Sequence, residues 1–113
     1  MQSDRELLEL AAKAAAIETV YWNDGREVHS SGEGFILPSN RLWNPLDDDG
    51  DALRLATKLR IDIYFWGTGV EAEHGDIPPQ PIELFKDCDN SATRRAIVRT
   101  AAAIAQNREQ KDA

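Results

Sequence analysis

The run Asp47-Asp48-Asp49-Gly50-Asp51 sets four carboxylates within five residues. Carboxylates spaced this way can bind a divalent cation, cap a helix, or hold a cation from elsewhere in the chain. An EF-hand calcium loop needs Gly at its sixth position, a ligand at the first and Glu at the twelfth. With Gly50 sixth, Pro45 falls first and Ala56 twelfth, and neither can act as that ligand. The run reads instead as a helix start, where aspartates act as cap and first-turn charges. A loose Mg²⁺ site on the same carboxylates has no further support, so no metal and no cofactor is expected.

The other reactive side chains are sparse. Cys88 lies between Asp87 and Asp89, and neighbouring carboxylates disfavour the thiolate that a nucleophile needs. His29 and His74 have neither a Cys pair nor a second histidine at ligand spacing. There is no phosphate-cradling glycine loop ahead of a helix and no Gly-x-Ser-x-Gly elbow. These absences argue against an enzyme. Arg94 is the more informative residue. It falls about 60° from Ile97 on a helical wheel, inside an apolar arc, where an arginine must reach outward or find a carboxylate. The expected partner is the aspartate run, with Asp51 or Asp48 ahead of Asp49. The alternative is a binding patch with Trp43, since Trp and Arg are enriched at interface hot spots.

Regular elements must position these residues. Ser3 with Glu6 has the form of a capping box, and Leu7, Leu8, Ala11, Ala14 and Ala15 then form one helical stripe over about 4–16. Glu18 to Trp22 reads as a strand, Asn23-Asp24-Gly25 as a turn, and Arg26 to His29 as a return strand. Ser30 to Gly34 reads as loop and Phe35 to Leu37 as a short strand stopped by Pro38. Ala52, Leu55, Ala56 and Leu59, widened by Leu53, give a second helix over about 48–59. Ile61, Ile63 and Phe65 alternate with Asp62, Tyr64 and Trp66 as a strand. Val70 to His74 reads as a polar edge strand, and Ile82 to Phe85 as a last short one. Asn90 or Ser91 caps a third helix along Ile97, Val98, Ala101, Ile104 and Ala105, with a polar tail fraying over about 106–113. Helix followed by hairpin thus occurs twice, and Trp22 and Trp66 each close a first strand. The two units share too few residues to require a duplication.

The 113 residues suit a single domain spanning 1–113. The 42% hydrophobic content is globular and not disordered, and no run nears the ~20 apolar residues of a membrane helix. The opening segment is acidic with no apolar stretch, and one cysteine suits a reducing compartment. A cytoplasmic location is therefore expected. The formal charge of −7 is poorly suited to phosphate backbones, so neither nucleic acid nor membrane is expected as a partner. It serves solubility and would suit a basic protein.

Three blocks carry a family resemblance. They are Glu6 to Ala15, then Trp43-Asn44-Pro45-Leu46 with Asp48 to Ala56, and Ala92 to Arg99. With these blocks the chain resembles small bacteriophage and prophage proteins grouped as the phage ABA-sandwich domain. The resemblance implies a phage origin and helices on both faces of a sheet, and it brings no catalytic residues. The fold expected is α/β of the α+β kind, an antiparallel sheet in the order αββαββα with possible extra short strands. The function expected is a non-enzymatic accessory protein that binds a protein partner, such as a host enzyme or defence component. A small-molecule binder with a pocket between sheet and helix is the alternative. Trp43, Asn44, Asp48, Asp49, Asp51, Arg94 and Arg95 are the candidate binding residues. A homodimer is a further expectation, because Tyr64 and Trp66 face away from Ile63 and Phe65 and leave apolar surface to cover.

Overall fold

A computed structural model describes residues 2–25, 32–86 and 89–112. Among these residues there are three helices and six strands: α1 (Asp4–Ala14), β1 (Tyr21–Asp24), β2 (Glu33–Ile36), β3 (Leu42–Trp43), α2 (Asp49–Leu59), β4 (Asp62–Phe65), β5 (Gly69–Glu73), β6 (Glu83–Leu84) and α3 (Asp89–Asp112). The fold is α+β, in the order αβββαβββα, with all strand pairing antiparallel. The strands form two three-stranded sheets, β1-β2-β3 and β4-β5-β6. Each strand pairs with its neighbour in sequence, and α2 separates the two sets. The return strand expected over Arg26 to His29 lies outside the described residues, as do Cys88 and its neighbour Asp87.

The helix ends follow local chemistry. The Ser3 hydroxyl oxygen accepts from the Glu6 N–H and donates to the Glu6 carboxylate, both at 3.2 Å. Asp48 caps α2 by accepting from the Asp51 N–H at 2.8 Å. Both helices stop in the same way. The Ala16 and Ile17 amides return to Lys13 and Ala12, and the Arg60 and Ile61 amides to Thr57 and Ala56. Such a turn needs a left-handed residue, and Ala16 (φ 54°) and Arg60 (φ 58°) supply it. An isoleucine then leads each chain into its sheet.

In the first sheet, Trp22, Phe35 and Trp43 are partners in one cross-strand row, so their side chains share a face. Trp22 meets Phe35 edge-on at 5.0 Å between ring centroids, and Phe35 and Trp43 are buried. Gly34, expected in a loop, lies in central strand β2. Its φ of +153° and a Cβ position 2.6 Å from the Trp43 carbonyl oxygen leave room only for glycine. Asn23 and Asp24, expected to turn, extend β1 opposite it.

In the second sheet, β5 is the centre and not the edge. Val70 and Ala72 are buried beneath α3, and the buried Thr100 hydroxyl donates to the Ala72 carbonyl at 3.3 Å. Phe65 was expected on the core side but is 67% exposed, because edge strand β4 runs beside a gap between α2 and α3. The polar segment expected to fray from about 106 is helical instead, since α3 continues to Asp112. Arg108 donates to the Ala14 carbonyl at 2.8 Å, Lys13 to Glu109 at 3.2 Å, and Asn107 to the Asp76 carbonyl at 3.0 Å. These bonds hold the segment against α1 and the loop after β5. Among the described residues, no helix is long and apolar enough to cross a membrane.

Candidate functional site

The carboxylates of the aspartate run divide between two tasks. Asp51 points inward at 3% side-chain exposure. Its carboxylate accepts from the Asn44 N–H at 3.0 Å, from Arg54 at 2.8 Å and from Arg41 at 3.1 Å. Asn44 is itself buried. Its amide donates to the Glu33 carbonyl at 2.7 Å, and its side-chain oxygen accepts from the Leu46 N–H at 2.9 Å. The two residues weld the start of α2 to β2 and to the segment after β3. Asp48 serves as the cap. Trp43 lies in the core at 3% exposure, so it forms no surface patch with Arg94. Among the described residues no three His, Cys, Asp or Glu side chains converge to hold a metal.

Arg94 does find the aspartate run, at Asp49. Its Nη1 donates to Asp49 Oδ1 at 2.6 Å, while its Nε donates to the Leu46 carbonyl at 2.8 Å. Asn90, one turn earlier on α3, donates to Asp49 Oδ2 at 2.9 Å. The Arg94 guanidinium, with help from Asn90, holds the Asp49 carboxyl below its ordinary value of 3.8. Asp51 and Asp48, expected first, are committed to the buried node and to the cap, respectively. Arg95, the other arginine among the candidate binding residues, is partly buried and pairs with Asp4 across to α1 at 3.3 Å.

The clasp of Arg94, Asn90 and Asp49 stands at one side of a cleft of about 530 Å³ between α2, α3 and β4. Its walls are mostly apolar, with Leu53 and Ala52 from α2, Ile63 and Phe65 from β4, Phe85 after β6, and Ile97 from α3. Leu53, read from sequence as widening the buried face of α2, is 66% exposed at the rim. Around the corner of β4, Tyr64, Trp66 and Leu84 are exposed on the opposite face of the sheet. The alternation of Tyr64 and Trp66 with Ile63 and Phe65 sets the two pairs on opposite faces. The cleft itself had no local signal, because residues more than thirty positions apart build it.

The chain matches no family model, no curated protein and no solved structure.

Proposed function

We propose that this is a non-enzymatic binding protein, of the phage and prophage accessory kind its sequence resembles, that docks a protein partner at the second sheet. One observation carries the reading. Leu53, Tyr64, Phe65, Trp66, Ile82 and Leu84 are each 45–67% exposed, and all lie in or beside β4, β6 and the cleft. Scattered exposed apolar side chains are ordinary, but here Leu53 and Phe65 gather at the cleft and Tyr64, Trp66 and Leu84 on the other face of the same sheet. Grouped apolar side chains with aromatic members mark interaction surfaces. A basic host enzyme or defence protein would suit the charge of −7.

The test is affinity capture from host lysate with tagged protein, alongside Leu53→Asp and Phe65→Asp variants. Both side chains are exposed, so the variants should fold. A single stoichiometric partner held by the parent and released by both variants supports the reading. Equal capture by all three contradicts it.

The cleft volume supports a second reading, a small-molecule binder. About 530 Å³ lies within the range of ligand pockets, and Arg94 supplies a polar group at its side. Native mass spectrometry of protein purified from host cells tests this. A mass excess of a few hundred daltons, absent from Phe85→Ala, would favour it.

A further inference from the structure

We infer that the free edge of β4 receives an extended segment of a partner whose residues alternate apolar and cationic; this rests on the docking reading and names what docks. The Trp66 N–H donates to the Gly69 carbonyl at 2.8 Å, so Trp66 and Gly69 form a hydrogen-bonded pair. Bonded and non-bonded pairs alternate along an antiparallel ladder. Tyr64 and Asp62 therefore bond to β5, and Ile63 and Phe65 turn their backbone groups outward, where no backbone partner meets them among the described residues. An exposed edge with unused backbone groups is a template for another strand.

An added strand places alternate side chains on opposite faces. Those beside Ile63 and Phe65 enter the cleft side, where Leu53 and Phe85 present apolar surface, and they must be apolar. Those on the other face meet Asp62, Tyr64 and Trp66, with Glu71 directly opposite Tyr64 and Glu73 opposite Asp62. Residues 61–85 contain five carboxylates and neither Lys nor Arg. Among these, Glu83 on the helix side pairs with Arg99 at 3.4 Å. The face bearing Tyr64 and Trp66 is thus aromatic and acidic, and the complementary charge is positive.

Trp22 lies within β1, on the core-side row of the first sheet with Phe35 and Trp43, and the Arg5 guanidinium lies over its ring at 5.5 Å. Among the described residues Trp66 has no such cation, and it is 54% exposed. A lysine or arginine of the added strand would do for Trp66 what Arg5 does for Trp22. A second copy of this chain fits less well, because its β4 would bring another Asp62 and no cation.

The probe is an acetylated, amidated heptapeptide, Lys-Val-Lys-Ile-Lys-Val-Lys, titrated by calorimetry and by Trp emission. Two derivatives carry backbone N-methyl groups, one on the Val and Ile residues and one on the inner Lys residues. If the Val and Ile residues pair with β4, methylating them should weaken binding at least tenfold, and methylating Lys should change it little. Trp66→Ala and the Asp62→Asn, Glu71→Gln double variant should each weaken the parent peptide severalfold. Binding should also weaken by about tenfold from 0.05 to 0.5 M salt.

Equal affinity of the two methylated peptides overturns strand addition, as does equal binding of a peptide with Glu in place of Lys. A chain dimer that excludes the peptide overturns it in favour of self-pairing. If no peptide binds while capture remains sensitive to Leu53→Asp, strand addition fails and the docking reading stands.

Discussion

Arg94 and Arg95 are neighbours in sequence with the same charge and different tasks. Arg94 is 15% exposed and bonds both a backbone carbonyl and Asp49, which is itself 61% exposed. Replacing it by alanine leaves the Leu46 carbonyl without its charged donor, worth about 1.5–3 kcal/mol. The Arg95 pair with Asp4 is solvated and worth about 0–1 kcal/mol. Arg94→Ala should therefore melt several degrees below Arg95→Ala in differential scanning calorimetry, and equal melting temperatures would contradict the assignment. Acid titration isolates the carboxylate. Asp49 is more acidic folded than unfolded, so the folded chain binds fewer protons there. Its stabilisation is complete above the ordinary value of 3.8 and drains as pH falls through the lower folded value. Asp49→Asn should flatten the loss of stability below about pH 4. For Asp51, the two arginines can return to water, but the buried Asn44 N–H cannot. Asp51→Ala should cost about 1–3 kcal/mol, read from chemical denaturation.

The middle strands of both αβββ units use a glycine, Gly34 and Gly69, to admit a carbonyl of the next strand. In the second, a Cβ at Gly69 would sit 2.5 Å from the Glu83 carbonyl oxygen, whereas at Gly67 it would meet nothing within 4 Å. Gly69→Ala should push β6 from β5 and lower stability by about 1–3 kcal/mol, while Gly67→Ala should fall within about 0.5 kcal/mol of the parent. These glycines also explain what was legible in the sequence. The helices were, because caps and 3.6-residue periodicity are local, and the capping box at Ser3 and the start of α2 fell where they were read. Gly34 looked like a loop residue because only the approach of the Trp43 carbonyl, nine positions on, makes it a strand residue. β5 looked like an edge because Glu71 and Glu73 dominate its composition, while α3 covering Val70 and Ala72 is a long-range fact. Arg94 announced itself as a misplaced cation. Of the two aspartates expected ahead of Asp49, Asp48 is engaged by a local cap, but the hold of Asn44 and Arg41 on Asp51 is not a pattern the run itself displays.

Across the whole molecule, the three tryptophans sample three environments, with Trp43 buried, Trp22 half-buried and Trp66 exposed. Trp66 also lies in the stretch without cations. Its surroundings should attract a cationic quencher and repel an anionic one. Caesium should quench emission more than iodide in low salt, and Trp66→Phe should remove most of that difference. Equal quenching by the two ions would mean that the field at this face is weaker than the sequence of 61–85 implies.

The contacts between α1 and α3 have a consequence for synthesis. Asp4 meets Arg95, Lys13 meets Glu109 and Ala14 meets Arg108, across separations of 91, 96 and 94 residues. The helix made first is covered by the helix made last. At ordinary ribosome speeds, roughly 4–15 s pass between completion of α1 and the first residues of α3. Through that interval the stripe of Leu7, Leu8 and Ala11 has no cover, and the long loop it must close makes folding slow once α3 arrives. A nascent chain arrested after Phe85 should be cut readily by protease and held by a chaperone that binds apolar helices. The released chain should resist both, so demand for chaperones should follow translation rate more closely than melting temperature.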